Sequence, residues 1–282
     1  MLFFYFFIQK KKTDEKKEFV IVSLTTSPRR IKLIENVIQS ILNQTYPPDL
    51  IRINIPKIFG RTGQVFDEIP TFLLNHPKIQ IFQYDKDYGP IMKFMPTFYD
   101  FKDKENVNII YTDDDVLMLP KTIEVFMKNI KKNDDRIYCF SGFILRILNN
   151  QFEWRPDRND KSGYVDIVEG YMSVCLSNNI IKKLAYSNLQ LLDYYNFVSE
   201  NKFCFTSDDL LLSNFYSLND IKKYKIHDED VNIFLWWNSG CELSYGKDGD
   251  GIQHLYKDEH FSSYKKSMEF LFFKKVFSFL YL

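Results

Sequence analysis

The 282-residue sequence holds one alanine, Ala185, and only ten glycines, ten prolines, four cysteines and four histidines. It also lacks net charge, since 37 Lys and Arg balance 37 Asp and Glu. That balance removes the electrostatic footprint of a nucleic-acid binder, so no nucleic acid is expected among its partners. No apolar run reaches the roughly 20 residues that a membrane-spanning helix needs. G-x-x-x-x-G-K-[ST], G-x-G-x-x-G and G-x-S-x-G are all absent, which argues against P-loop, dinucleotide-binding and hydrolase-elbow chemistry. Cys139, Cys175, Cys204 and Cys241 stand far apart, with neither C-x-x-C nor zinc spacing. Reduced, buried thiols in a cytosolic-type compartment are the expectation.

What is abundant is aromatic. Phe contributes 27 residues and Tyr 18, in a chain that is 45% hydrophobic and 26% charged. Such a chain is globular rather than disordered. The excess of Lys, Ile, Asn, Phe and Tyr over Ala, Gly and Pro is the mark of AT-rich codons. The start, MLFFYFFIQKKK, lacks the basic-first order and cleavage site of a signal peptide. Phe270–Leu282 (FLFFKKVFSFLYL) is similarly aromatic with lysines nearby. Two readings stand for these ends: packing on the body, or peripheral contact with a membrane. The location expected is cytoplasmic.

Strand and helix patterns alternate. Phe19 to Thr25 is a buried-strand run, and Ile31, Ile34, Ile38 and Ile41 recur at helical spacing before Tyr46-Pro47-Pro48. Strands are expected at Leu50–Ile55, Ile79–Tyr84 and Val107–Thr112, with helices around Phe66–Leu74 and over Ile91–Phe101. The second half predicts a helix at Lys121–Lys131, strands at Arg136–Phe143 and Tyr164–Leu176, and helices at Asn178–Tyr186, Leu189–Ser199 and Asp208–Leu218. This order argues for an α/β fold with a doubly wound, mainly parallel sheet. It is read as one domain over 19–262, with an extension at 1–18 and an aromatic helix at 263–282. It divides near residue 120 into halves 19–120 and 121–262.

Three clusters carry chemistry. Asp113, Asp114 and Asp115 follow the fourth strand, where open α/β sheets bind ligands. Three consecutive carboxylates repel unless a cation or donors offset them. An extended backbone would turn Asp113 and Asp115 to one side and Asp114 to the other. Hard oxygen ligands of this kind suit Mg²⁺ or Mn²⁺ held with substrate phosphates. The plainer alternative is a solvated turn capping the next helix. In DKDYGPIMK, residues 85–93, Gly89-Pro90 makes a strand-to-helix turn and Lys93 falls near a helix start, where a phosphate is welcome. Thr206-Ser207-Asp208-Asp209 opens a helix, with Ser207 or Asp208 as N-cap and one acid left over. A carboxylate there could serve as a general base.

Other signals read as structural: His227-Asp228-Glu229-Asp230 as a solvated loop, Trp154, Trp236 and Trp237 as core, and Lys247–Gly251 as an incomplete calcium loop.

In order, VSLTTSPRRIKLIENVIQSILNQTYPPDLIRINIP, DYGPIMK, YTDDDV and the SDD-plus-helix segment resemble a glycosyltransferase of the GT-A fold, close to the family 2 type. The resemblance covers about residues 19–218, and DYGP-x-x-K followed by DDD is similar to glycosyltransferase-like proteins of viruses and microbes. It implies that Thr25, Thr26, Arg29, Asp87 and Lys93 contact the nucleotide or its diphosphate. It also makes Asp113–Asp115 a D-x-D motif, with Asp115 the metal ligand, Asp113 nearer the ribose, and Asp114 beside them. Asp209 would be the base, with Asp208 as the competing assignment, and Glu169-Gly170-Tyr171 the acceptor-side segment. His254 would be a late metal ligand. The resemblance would also make residues 19–120 the donor-binding half and 121–262 the acceptor half. The activity implied is metal-dependent transfer from a nucleotide sugar, most simply a UDP-sugar, to a glycan, protein or lipid-linked hydroxyl with inversion. A retaining transferase, a phosphotransferase on the same acids, and a non-catalytic carbohydrate-binding relative are the alternatives.

Overall fold

A computed structural model describes residues 18–148, 151–153, 161–199 and 207–231, with only the backbone described for 146–148 and 151–153. Eight strands form the main sheet: β1 (Phe19–Leu24), β2 (Leu50–Pro56), β3 (Ile79–Tyr84), β4 (Val107–Tyr111), β5 (Arg136–Cys139), β6 (Gly163–Tyr164), β7 (Val174–Leu176) and β8 (Lys222–Lys225). Their spatial order is β6-β8-β5-β7-β4-β1-β2-β3. Strands β3, β2, β1 and β4 are mutually parallel. Strand β7 runs against both of its neighbours, β8 is parallel to β5, and β6 reverses again at the edge.

The helices are α1 (Glu35–Leu42), α2 (Thr71–Asn75), α3 (Met95–Phe101), α4 (Thr122–Lys132), α5 (Asn178–Ala185), α6 (Leu191–Ser199) and α7 (Asp208–Leu218). They cover both faces of the sheet, and strand alternation divides the core accordingly. Val20, Val22, Leu24 and Ile110 pack with Ile38 and Ile41 of α1 and Phe126 of α4. Ile21, Ile109 and Tyr111 pack on the other side with Phe98, Ile180 and Leu211. Burial on both faces is why β1 and β4 read as unbroken apolar runs rather than as alternating ones. Each such aliphatic side chain contributes about 1.5–3 kcal/mol.

Several elements depart from expectation. The run over 164–176 is broken into β6, a two-residue strand Ile167–Val168, a 3-10 turn Gly170–Met172 and β7. Two features interrupt it: Asp166 turns to accept the Leu145 N–H at 2.7 Å, and Ser173 adopts φ 69. The helix expected around Phe66–Leu74 starts only at Thr71, behind Pro70, while Gln64–Val65 pairs with Ile58–Phe59 in a small hairpin. The helices after β1 and β3 each begin as a 3-10 turn, Arg30–Lys32 and Gly89–Lys93. Both of those turns carry site residues. Among the described residues no helix is long and apolar enough to cross a membrane.

Candidate functional site

The site lies at the carboxyl ends of β1 and β4. Its last ladder rung is Thr112 N–H to Ser23 O at 3.1 Å. Beyond it the backbone bends, so the strand alternation that would pair Asp113 with Asp115 does not extend that far. Asp114 and Asp115 instead share Arg30, with Asp114 Oδ1 2.6 Å from one guanidinium nitrogen and Asp115 Oδ2 3.2 Å from the other. Asp113 turns away to Lys93, its Oδ1 lying 2.5 Å from Nζ. Helix α1 fixes the segment that follows. Ser40 Oγ accepts the Met118 N–H at 2.9 Å, and Gln44 accepts from Ile123 N at 3.1 Å while donating to Leu119 O at 2.7 Å.

Lys93 is buried and central. Its ammonium meets Asp113 on one side and Asp208 Oδ2, 2.7 Å away, on the other. Burial alone would lower the pKa of this lysine, but Asp113, Asp208 and Asp209 more than reverse that and hold it well above the ordinary value. Lys93 is therefore committed to carboxylates, not left open for a phosphate as its position near a helix start suggests. Asp87 is likewise committed to backbone: its two oxygens accept the N–H groups of Gly60 and Gly89, each at 2.7 Å. Gly89 has φ 72, a left-handed conformation that favours glycine.

Helix α7 brings the remaining acids. Asp208 does not cap it; its carboxylate pairs with Lys93, and the N-cap residue Ser207 makes no capping hydrogen bond. Asp209 Oδ1 accepts the Gly170 N–H at 2.8 Å. Gly170 is wedged between these groups: a Cβ there would lie 2.7 Å from Lys93 Nζ and 3.2 Å from Asp209 Oδ1.

Among the described residues, five carboxylates thus gather around the cations Arg30 and Lys93. Burial pushes the Asp114 carboxyl up to about 7; Arg30 opposes that rise, and Asp115 and Asp113 add to it. The Thr26 hydroxyl lies close enough to ease that charge without reaching hydrogen-bond geometry, and Asp114 Oδ2 is buried with no hydrogen-bond partner. Asp209 is raised well above the usual carboxylate range by burial and then by Asp208, against the pull of Lys93. Asp208 is raised by burial first, again against Lys93, with Asp113 adding to the rise.

Of the expected site residues, Thr26, Lys93, Asp113, Asp114, Asp115, Asp208 and Asp209 are brought together. Thr25 is half-buried beside them, and Arg29 is exposed. Arg30, its neighbour, makes the acid contacts. Helical spacing carries no signal for it, because residues 30–32 form a 3-10 turn and α1 begins only at Glu35. His227–Asp230 is a surface loop in which Asp230 pairs with Lys121 at 2.8 Å. His254, Trp154, Trp236, Trp237, Lys247–Gly251, Cys204, Cys241 and both aromatic ends lie outside the described residues. Cys139 and Cys175 are buried free thiols.

Among the described residues no three His, Cys, Asp or Glu side chains are arranged to hold a metal ion. The donor chemistry nonetheless fits a hard divalent cation: Asp113, Asp114 and Asp115 offer only oxygen, and one buried Asp114 oxygen is unmatched. No protein-family model and no curated protein matches the chain.

Proposed function

We propose that the protein is a metal-dependent glycosyltransferase of the GT-A kind that moves a sugar from a nucleotide-sugar donor, most simply a UDP-sugar, to an acceptor hydroxyl with inversion. The observation that carries this reading is the charge imbalance at the carboxyl ends of β1 and β4. Among the described residues Asp113, Asp114, Asp115, Asp208 and Asp209 gather around Arg30 and Lys93, an excess of three negative charges within that group if all are ionised. An excess of that size calls for protons or a divalent cation, and an anionic donor would bind such a surface only through the cation. Asp115 and Asp114, which Arg30 brings side by side, would hold Mg²⁺ or Mn²⁺. When bound, the metal neutralises the leaving diphosphate.

The chain's own groups supply the rest. Arg30 orients Asp114 and Asp115, and Lys93 bridges Asp113 and Asp208. Asp209 takes the proton from the acceptor hydroxyl. One of its oxygens is spent on Gly170 N–H, and among the described residues no hydrogen bond occupies the other. Burial and the neighbouring Asp208 raise its pKa, so it takes up a proton more readily than an ordinary carboxylate.

Calorimetry of UDP binding with Mn²⁺ or Mg²⁺, and again after chelation, tests the reading. Binding is expected only with metal, followed by metal-dependent hydrolysis or transfer from one member of a UDP-hexose panel. Equal affinity after chelation would overturn it. A product that keeps the donor's anomeric configuration would remove the inverting mechanism, and a transferred phosphoryl group would identify a phosphotransferase.

A further inference from the structure

We propose that Lys223 is a positioning residue for Asp209, fastening α7 and the segment leading to Gly170 onto β8 so that the carboxylate stays seated against the Gly170 amide. Lys223 is 2% exposed, yet among the described residues no carboxylate lies within salt-bridge distance of its ammonium. Nζ donates instead to Ser213 O at 3.1 Å and to Ser217 Oγ, both on α7. Ser217 Oγ in turn donates to Ser213 O at 3.1 Å.

The same residue also holds the other partner. Its backbone carbonyl accepts the Val165 N–H at 3.1 Å, at the start of the segment that runs to Gly170. Ser213 Oγ closes the circuit by accepting the Val168 N–H at 2.9 Å. Asp209, Ser213 and Ser217 are spaced by four, so they line one face of α7. That face meets the 165–170 segment at Ser213–Val168 and Asp209–Gly170, and Lys223 grips both sides.

A buried ammonium with no counter-ion is costly, and an apolar side chain of the same length would avoid that cost. Burial already pulls the Lys223 pKa down to about 8, with Asp166 and Cys139 pulling the other way. What a methionine would lack is direction, because only the lysine sends N–H donors to two groups one helical turn apart. The role rests on Asp209 being the base of the proposed transfer.

The test compares wild type with Lys223→Met by amide hydrogen exchange and by turnover of UDP-glucose, UDP-galactose and UDP-N-acetylglucosamine with Mn²⁺. Exchange at Gly170 and Val168 is expected to quicken at least about tenfold. The kcat should fall about ten- to a hundredfold with the donor KM unchanged, as a displaced catalytic group dictates. Unchanged exchange overturns the proposal, and so does faster exchange with kcat within twofold of wild type. Parallel loss in kcat and KM would mark a merely structural lysine and overturn it as well. If Lys223→Met does not fold, Ser217→Ala, which removes one acceptor of the same ammonium, is read by the same criteria. If wild type turns over no nucleotide sugar, the functional reading falls, while the exchange arm still decides whether Lys223 seats Asp209.

Discussion

Gly170 has a hydrogen in the direction where any other residue would place a carbon 2.7 Å from the Lys93 ammonium. Lys93 cannot swing clear without losing Asp113 and Asp208, its partners at 2.5 and 2.7 Å. Gly170→Ala is therefore expected to fold, because the clash is with the end of a side chain rather than with backbone. It should lose roughly a hundredfold in turnover through displaced acids. Circular dichroism and steady-state kinetics check this, and a variant with wild-type kcat would show that Lys93 and Asp209 are not held by the contact. Arg30 makes a related point about single residues. It is joined in the sequence to an exposed arginine, and the fold rather than any helical spacing distinguishes the two.

At the scale of elements, α7 decides how the acids work. Asp208 and Asp209 differ in partner: one meets Lys93, the other a backbone amide. Asp209→Asn is expected to keep UDP affinity and lose about 10²–10⁴ in turnover, the usual effect of removing a general base. Asp208→Asn should leave the thermal midpoint unchanged or raised, because burial and Asp113 already work against the charge it removes. A large stability loss in the Asp208 variant, or full activity in the Asp209 one, would reverse these assignments.

The bounds of α7, Asp208–Leu218, are legible in the sequence, as are β1 to β4 and the chain order that brings Asp113–Asp115 to a strand end. The orientation of the two helix acids is not legible. Capping logic treats a helix start as facing water, whereas here Lys93 arrives from another part of the chain. Nor is the side of Asp114 legible, because alternation is a property of the ladder and the ladder ends at Thr112. The second half of the sheet is least legible. Its strands are as short as two residues, too short for a period to register.

For the whole molecule, Lys223 leaves a signature in stability against pH. Its folded pKa, about 8, lies below its ordinary 10.5, mainly through burial. Between those values the unfolded chain binds more protons, so this group makes stability rise with pH, by at most about 1.4 kcal/mol per pH unit. The thiols of Cys139 and Cys175, pushed up from 9.0 by burial, act in the opposite sense above that pH. The difference between wild-type and Lys223→Met denaturation midpoints, followed from pH 7.5 to about 9, isolates the lysine. Wild type should gain on the variant as pH rises, and a flat difference would contradict a depressed pKa.

The reversed strand β7 also has a consequence for the order in which the molecule comes together. Among the described strands, β5, β8 and β6 join the parallel half only through β7, three residues long and later in the chain than both of its neighbours. During synthesis β5 leaves the ribosome before the strand that seats it, and α7 follows later still. The parallel half carries Arg30 and Lys93 along with Asp113–Asp115, so it can pair with these ions already matched before α7 arrives. Asp208 and Asp209 crowd against them only once both halves share a seam, so four of the eight strands can form before that repulsion is met.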